Sequence, residues 1–503
     1  MLMAQASSIL PTGLPGLDVV LGGGLNRHTL ALIMGAPGAG KTVLASQIIF
    51  NAAQQGLQTA IFTSYSEGNT QYVEHMGEFG FFDPAMLGGA VQLFTLQSQI
   101  SSDPDAPASS LTRTIRATKA QLVLIDGLQS AASLLSADQD SRVLLATLAT
   151  QIRYLNVTLL ITMAGHVRDA QFHAALTVAD VALGMDYTVS GRRHQRLLEV
   201  VKQRGRAQRS GLHSYTISSA GVEVFPRIEG HPMAEVRTTP ATRAPFGLPE
   251  LDKLLGGGPN IGTTTLVAGA PGVGKTMLGL HWALAEAQPD ASTLFLTFSE
   301  HANQLARKAA AFGLDLQAAI DDGRVRVVRV SSANLNPDHV AAVVLAEIAT
   351  GHVRRVVIDD IAVLLHELGD RTRNYLGALN DVVYSANITS LYLHEITPFD
   401  GLRVALTNTP MAVIGDNVIV VQQYEIAGEL RRLLAVLRMR LSFFDRTLRE
   451  LVLDEGGIQV LQPEESVIGV LDSGAQISGG VAPDDAQSVD DQGVPASEQA
   501  DSS

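Results

Sequence analysis

Gly35-Ala36-Pro37-Gly38-Ala39-Gly40-Lys41-Thr42 has the spacing G-x-x-x-x-G-K-T of a phosphate-binding loop. An apolar run, Leu30-Ala31-Leu32-Ile33-Met34, precedes it and predicts a buried strand, and Val43-Leu44-Ala45-Ser46-Gln47-Ile48-Ile49 follows it and predicts a helix. This order of strand, loop and helix is the context that the motif requires. A glycine-rich turn before a helix is the simpler alternative, and it leaves the Lys41-Thr42 pair unexplained. The stretch therefore predicts a nucleotide-binding fold.

The residue types in this loop suit the binding of a nucleoside triphosphate. The glycines allow backbone N–H groups to turn towards phosphates, and the N-terminus of the helix adds a partial positive charge. Lys41 is expected to reach the β- and γ-phosphates, and the hydroxyl of Thr42 is expected to bind Mg²⁺.

The same loop occurs a second time, as Gly269-Ala270-Pro271-Gly272-Val273-Gly274-Lys275-Thr276, after the apolar run Thr265-Leu266-Val267-Ala268. The two loop lysines are 234 residues apart (275 − 41). Another repeated element, Leu-Asp followed by Leu-Gly-Gly-Gly, keeps this period, because Asp18 and Asp252 are also 234 residues apart (252 − 18). The shared period indicates a tandem repeat of one kind of domain.

Composition sets limits on the class of protein. The 503 residues are 46% apolar and 17% charged, which suits two to four globular domains. Cysteine is absent, which excludes disulfides and thiolate metal sites and fits a cytoplasmic protein. We find neither a signal peptide nor an apolar stretch approaching the roughly 20 residues that cross a bilayer, so no membrane association is expected. A net charge of −14 makes nucleic acid an unlikely partner.

A carboxylate follows the next predicted strand in each repeat. The strand at 59–63 is followed by Ser66-Glu67, and the strand at 293–297 is followed by Ser299-Glu300. A carboxylate at this point can orient or deprotonate the attacking water. An exposed glutamate is usually only a solvated side chain, but the same placement in both repeats favours a catalytic role for the two glutamates.

Each repeat also contains an apolar strand that ends in aspartate. The two strands are Gln121-Leu122-Val123-Leu124-Ile125-Asp126 and Arg355-Val356-Val357-Ile358-Asp359. Many strands end in this way, so the signal is specific only when a phosphate loop lies upstream. In that context Asp126 and Asp359 are the expected ligands of the Mg²⁺ ion or of its water. Asp360 follows directly, and the register with Asp126 favours Asp359.

A basic segment closes each repeat. Lys202 and Arg204 are two residues apart, as are Arg438 and Arg440, so each pair shares one face of a strand. One interpretation is a solvated edge strand. The other is a pair of cations that reaches the γ-phosphate bound by a neighbouring subunit, as an arginine finger does.

Strands that alternate with amphipathic helices predict an α/β fold, in which each repeat is a mostly parallel sheet covered by helices on both faces. We expect a first domain at 8–227, a linker at 228–243 and a second domain at 244–461. Residues 462–503 contain no Lys or Arg and are rich in acidic and small residues, which predicts a disordered acidic tail.

The tandem phosphate loops, the Leu-Asp and Leu-Gly-Gly-Gly elements and the domain endings resemble the KaiC family of RecA-like ATPases, over roughly residues 8–461. The endings that carry this resemblance are Val200-Val201-Lys202-Gln203-Arg204-Gly205 and Val420-Val421-Gln422-Gln423-Tyr424-Glu425-Ile426. The resemblance implies a double-ring hexamer that holds ATP and Mg²⁺ between subunits. Lys41, Thr42, Lys275 and Thr276 would then act on the nucleotide of their own subunit. Lys202, Arg204, Arg438 and Arg440 would act on a neighbour's nucleotide.

Three departures from the family pattern are visible. Ser66 and Ser299 each replace one member of the family's Glu-Glu pair, which suggests slow hydrolysis or the use of a single glutamate. Ala412-Val413 stands where the clock protein has an adjacent Ser-Thr phosphorylation pair, although Thr407 and Thr409 lie just upstream. Leu441 replaces the glycine of the second Lys-x-Arg-Gly ending.

These features favour an ATPase that couples its nucleotide state to signalling or regulation through protein partners that the sequence does not identify. A serine/threonine autokinase of the circadian-clock type is the first alternative, and the absence of a hydroxyl at Ala412-Val413 counts against it. A DNA-directed RecA-like motor is the second, and the acidic balance counts against it.

Overall fold

The computed structural model describes eleven segments of the chain, and all structural statements below concern them: 8–64, 69–103, 106–129, 141–190, 193–232, 242–396, 415–426, 428–454, 457–462, 467–468 and 476–477. Several sequence predictions fall outside these segments, namely those for Glu67, Thr407, Thr409, Ala412-Val413 and most of the tail at 462–503.

Helices connect the strands in both halves. Those of the first half are α1 Pro15–Val20, α2 Lys41–Gln54, α3 Asn69–Gly77, α4 Leu96–Ser101, α5 Pro107–Thr118, α6 Ser141–Leu155 and α7 His173–Val178. Those of the second half are α8 Pro249–Leu254, α9 Lys275–Leu284, α10 Ala302–Ala310, α11 Leu316–Asp321, α12 Pro337–Ala349, α13 Ile361–Leu368 and α14 Thr372–Ser385. No helix in the described segments is long and apolar enough to span a membrane.

The strands form one large sheet in each half. The strands of the first half are β1 Ile9–Leu10, β2 Leu25–Asn26, β3 Leu30–Gly35, β4 Thr59–Thr63, β5 Val91–Thr95, β6 Leu122–Asp126, β7 Thr158–Ala164, β8 Val181–Ser190, β9 Arg193–Gln203, β10 His213–Ser218 and β11 Gly221–Phe225. Apart from the short β1–β2 pair, they make a nine-stranded sheet in the order β11-β10-β9-β8-β3-β7-β6-β4-β5.

The second half repeats this arrangement. Its strands are β12 Thr264–Gly269, β13 Ser292–Thr297, β14 Val325–Arg329, β15 Val353–Asp359, β16 Thr389–Glu395, β17 Asn417–Ile426, β18 Glu429–Met439, β19 Arg449–Asp454 and β20 Gly457–Leu461. They form a nine-stranded sheet in the order β14-β13-β15-β16-β12-β17-β18-β19-β20, which is the order of the first sheet read from its other edge. Within the predicted tail, β21 Val467–Ile468 pairs with β22 Gln476–Ile477.

The parallel part of each sheet explains the strongly apolar strands in the sequence. All residues of Leu30–Gly35 and of Thr264–Gly269 are buried, because helices cover both faces of the central strands. Two clusters of buried side chains, one on each face, pack against each sheet. The predicted α/β architecture with two mostly parallel sheets is therefore confirmed.

Three antiparallel strands extend each parallel sheet, and they change the interpretation of the basic segments. β9 pairs with β8 on one side and with β10 on the other, and β18 lies between β17 and β19. The edge-strand interpretation is wrong for the part of each strand near Arg196 and Leu433, where a hairpin supplies a second hydrogen-bonded neighbour. Among the described residues, the parts that carry Lys202 and Arg438 pair only with β8 and with β17.

Charged side chains join the two halves. Arg371 donates to Glu229 from Nε and Nη2, both at 2.9 Å, and to Asp338 from Nη2 at 2.6 Å. Asp338 is only 1% exposed, and it also accepts from the Ser214 hydroxyl of β10 at 3.0 Å. The start of the segment predicted as a linker therefore packs on the second half, where Ile228 is fully buried.

Arg371→Ala should destabilise the second half by about 3 kcal/mol, because it leaves the buried Asp338 carboxylate without its cation. Trp282, the only tryptophan, is buried in the second half, so its fluorescence during urea unfolding follows this half. Arg373→Ala is the matched control, since Arg373 is an exposed arginine two residues further along the chain, in the first turn of α14. Equal unfolding midpoints for the two variants would show that the Arg371 contacts contribute nothing to stability.

Candidate functional site

The first phosphate loop connects β3 to α2 at the carboxyl end of the parallel strands. Gly38 and Gly40 adopt φ angles of 78° and 92°, in the left-handed region that favours glycine. A Cβ at Gly40 would lie 2.4 Å from the Ile217 side chain, whereas one at Gly38 would meet nothing within 4 Å. The loop is therefore packed at Gly40 and open at Gly38.

Lys41 lies across this loop. Its Nζ donates to the carbonyl oxygens of Gly35 at 3.0 Å and Ala36 at 2.9 Å. Burial lowers the pKa of Lys41, and the nearby Asp126 carboxylate opposes this shift. The ammonium group is held at the loop by two neutral carbonyl groups, which an anionic phosphate can replace.

The predicted metal ligands of the first half meet directly. The Thr42 hydroxyl donates to the carboxylate oxygens of Asp126 at 3.0 and 3.1 Å. Thr162, on the intervening strand β7, donates to Asp126 Oδ1 at 2.5 Å. Burial raises the pKa of Asp126, and the hydrogen bonds from Thr162 and Thr42 oppose that effect. Thr162 was not recognised in the sequence, where it is one of several hydroxyl residues in an apolar run.

The second loop repeats this geometry between β12 and α9. Lys275 Nζ donates to the carbonyl oxygens of Gly269 at 2.9 Å and Ala270 at 2.8 Å. Thr276 hydrogen-bonds the carboxylate of Asp359. Burial raises the pKa of Asp359 to about 6, and the carboxylate of Asp360 adds to this effect.

A cleft of about 390 Å³ lies beside the second loop, within the usual size range of ligand pockets. It is lined by the loop residues together with Glu300, Lys308, Asp360, Glu395 and Arg432. The predicted Glu300 therefore faces the loop, and its carboxylate accepts from Lys308 Nζ at 3.0 Å.

The cleft beside the first loop, about 350 Å³, has a different lining. His75, Met76, Phe79 and Ile217 border the loop residues there, and among the described residues no carboxylate lines this cleft. Glu67, the predicted catalytic carboxylate of this half, lies outside the described residues.

The structure does not bring the predicted trans cations to the loop of their own half. Lys202 lies opposite Ala182 of β8, which lies opposite Leu32 of β3, three residues before Gly35. Arg204 lies level with Asp180, just before β8 begins. Both cations are thus at the amino end of the parallel strands, about 10 Å or more along the strand direction from the end of β3.

In their own half these cations bind the carboxyl end of α7 and the residue that precedes β8. Lys202 donates to the carbonyl oxygens of Leu176 at 2.6 Å and Thr177 at 3.1 Å, and Arg204 is ion-paired with Asp180 at 3.4 Å. The second half is similar: Arg438 donates to the Gly415 carbonyl oxygen and Arg440 is ion-paired with Asp416 at 3.4 Å.

Arg432 is a site residue that sequence reasoning missed. It lines the second cleft from β18, and its buried Nε atom has no hydrogen-bond partner among the described residues. Arg196 occupies the matching place on β9, and its buried Nε likewise finds no partner in the part of the chain that the structure describes. The sequence signal for Arg432 is the Arg-Leu-Leu stretch that occurs in both basic strands. Only the pairing of β18 with β17, beyond the end of β12, places Arg432 at the cleft.

The residues present fit a magnesium nucleotide. The described residues contain no preformed group of three or more His, Cys, Asp or Glu side chains that could hold a metal ion. Mg²⁺ does not require one, because it keeps several waters and binds one or two protein oxygens together with substrate phosphates. Thr42 with Asp126, and Thr276 with Asp359, supply such oxygens in the two halves.

Comparison with known proteins gives one consistent family. A family model described as "ATPase: KaiC" matches residues 10–229 and again 244–465. The chain is 27% identical to the circadian clock oscillator protein KaiC of Thermostichus vulcanus, over 92% of this chain and 90% of that protein. It is 26% identical to the circadian clock protein KaiC3 of Synechocystis sp., over 92% and 93% of the two chains. The KaiC of Synechococcus elongatus is 25% identical, over 90% and 89%.

Asp359→Asn should stabilise the metal-free second half at pH 8. The pKa of Asp359 is raised from 3.8 to about 6. Protonation of Asp359 therefore stabilises the folded state, and this stabilisation is fully present below pH 3.8 and is lost as the pH rises through 6. Asparagine imitates the protonated form, and the gain at pH 8 should be on the order of 3 kcal/mol.

Urea unfolding in EDTA, followed by Trp282 fluorescence at pH 5 and pH 8, measures this gain. The difference in the free energy of unfolding between the variant and the original chain should be roughly half as large at pH 5 as at pH 8. Asp290→Asn, at an exposed position before β13, is the control and should show no such difference. A variant that is less stable than the original chain at pH 8 would contradict the prediction.

Proposed function

The chain belongs to the KaiC family of ATPases, and on that premise we propose that it binds MgATP at both phosphate loops and hydrolyses it at the subunit interfaces of a hexameric ring. One observation carries this proposal: in each half a loop lysine and threonine face an aspartate at the end of the next strand but one in the sheet. Triphosphate binding requires this combination of cation, hydroxyl and carboxylate.

The loop residues would bind the phosphates of their own subunit. Lys41 and Lys275 would exchange their carbonyl partners for β- and γ-phosphate oxygens, a change that favours the phosphate because its hydrogen bonds are charge-assisted. Thr42 with Asp126, and Thr276 with Asp359, would hold Mg²⁺, which neutralises charge on the phosphates when bound.

Glu300 would orient the attacking water in the second site, and Glu67 would do so in the first. The proposal for Glu300 is supported by its position in the second cleft, across from Lys275. Lys308 Nζ donates to the Glu300 carboxylate at 3.0 Å, so Lys308 and the water compete for the same acceptor group. This arrangement supports slow turnover.

The basic pairs would act on the nucleotide of a neighbouring subunit. Lys202 and Arg204 lie at the opposite end of the sheet from their own loop, as do Arg438 and Arg440, so none of them reaches it. A cation at this place can contribute to catalysis only if a second subunit presents its loop there. This geometry supports a ring, and the hexameric number is taken from the family.

The output would be regulatory. The relatives are named as circadian clock proteins, and in our proposal this chain couples its nucleotide state to the binding of protein partners. The polar contacts between Ser214, Asp338 and Arg371 support such coupling, because they join the sheet that carries the first loop to the second half. A chain without cysteine suits an assembly in the reducing cytoplasm.

Replacing the loop lysines tests nucleotide binding. Lys41→Ala and Lys275→Ala should each remove one of two bound nucleotides per chain, and the double variant should bind none at micromolar ATP. The loss of a charged hydrogen-bond donor should weaken each site roughly 100-fold. Equilibrium dialysis with ATP labelled on the γ-phosphate gives the stoichiometry, and release of labelled phosphate gives hydrolysis.

The control is Lys253→Ala, because Lys253 is exposed and ion-paired with Glu250 on α8. It should keep two nucleotides and full phosphate release. A double loop variant that still binds two nucleotides would refute the site assignment.

Mixing variants tests the trans role of the second basic pair. A chain with Lys275→Ala keeps its basic pair, and a chain with Arg438→Ala and Arg440→Ala keeps its loop. Both carry Lys41→Ala to silence the first site. Each alone should release no phosphate. A mixed ring contains interfaces with both elements, and it should recover up to about a quarter of the rate of the Lys41→Ala chain, because about a quarter of the interfaces in a random mixture are intact.

A mixture as inactive as its components would argue that the basic pair acts within its own chain or only supports the Gly415–Asp416 loop. Sedimentation of each variant with ADP establishes that the rings form.

A further inference from the structure

We propose that Glu395 is a second catalytic carboxylate of the second ATP site, where it accepts a hydrogen bond from the attacking water and takes up its proton. This inference rests on the proposed function and assigns part of its chemistry. It supplies, from a different strand, the carboxylate that the sequence lacks at Ser299.

Strand pairing places Glu395 beside the first residue of the phosphate loop. It is the last residue of β16, and it lies directly opposite Gly269, the first residue of the loop, on the neighbouring parallel strand β12. Its backbone N–H donates to both carboxylate oxygens of Asp360 at 3.1 Å, which fixes the end of the strand. The side chain is exposed and lines the cleft.

The surroundings leave the Glu395 carboxylate available as a proton acceptor. Glu300 is ion-paired with Lys308 at 3.0 Å, and Asp359 is engaged by Thr276. Within the described residues Glu395 takes part in no ion pair of 4 Å or less, while its charge acts on Lys275 across the cleft. Of the two glutamates that line the cleft, Glu395 is therefore the one whose carboxylate oxygens are not held by a cation and can accept a hydrogen bond from water.

The first half provides an internal comparison. Ala164 ends β7 opposite Gly35, in the same register as Glu395 opposite Gly269. Alanine can neither orient water nor accept a proton, so the two sites differ in one reacting group at an equivalent point. The second cleft is therefore lined by two glutamates, and in this proposal hydrolysis there depends on both.

The proposed step is balanced. The water oxygen forms a bond to the γ-phosphorus while the bond from that phosphorus to the bridging oxygen breaks, and the electron pair leaves with ADP. The water proton passes to a Glu395 carboxylate oxygen and is later released to solvent. The products are ADP and inorganic phosphate.

The test uses the full chain with Lys41→Ala, in which any phosphate released comes from the second site. Glu395→Gln keeps the size and the backbone contact to Asp360 but cannot take up a proton. We expect kcat to fall roughly 100-fold, with KM for MgATP changed less than threefold. Glu395→Asp should restore part of kcat, because it returns the carboxylate one methylene short of its place.

A fall in kcat with an unchanged KM and partial recovery in Glu395→Asp would support the proposal. A Glu395→Gln chain with unchanged kcat would overturn it and leave Glu300 as the sole base. Unchanged unfolding of Glu395→Gln, followed by Trp282 fluorescence, excludes a structural cause. If the Lys41→Ala chain with native Glu395 binds ATP but releases no phosphate, the proposed hydrolysis at this site fails, whatever the role of Glu395.

Discussion

The parallel register of neighbouring strands is the constraint on which both candidate sites depend. Gly35 lies opposite Ala164, and Ile125 lies opposite Ile161, so the loop and Asp126 emerge at the same edge of the sheet. In a parallel sheet every carboxyl end points the same way, which brings together residues that are far apart in the chain. A shift of one residue in either pairing would place the side chain of Asp126 on the face of the sheet opposite to the loop.

Charge distinguishes two sites that share one backbone plan. The second site adds Asp360 and Glu395 where the first has Gly127 and Ala164. Burial raises the pKa of Asp359 to about 6, and the carboxylates of Asp360 and Glu300 add to this effect. Cations compensate for this charge, with Lys308 on Glu300 and Lys275 among the carboxylates. The second site therefore has more groups that can transfer a proton, but its carboxylates repel one another when no ligand is bound.

The antiparallel extension connects the first loop to the second half. On β10, Tyr215 donates to the Ala39 carbonyl oxygen of the loop at 2.5 Å, and Ile217 packs against Gly40. The adjacent Ser214 points to the other face of the strand and donates to Asp338. One strand thus contacts the phosphate loop with one face and the second half with the other. Movement of the loop that displaces β10 would strain the buried contact with Asp338.

The sequence by itself determined the repeat, the class of fold and the residues that face each other at the loops, because these depend on local spacing and apolar runs. Lys41-Thr42 and Asp126 were identified in this way, as were their counterparts in the second half. Only the tertiary structure placed Thr162, Arg432 and Glu395 at the sites. Only the tertiary structure, too, showed that further strands lie beyond the basic strands in each sheet. These features depend on which strands become neighbours, and strand pairing is a long-range choice that local sequence patterns do not encode.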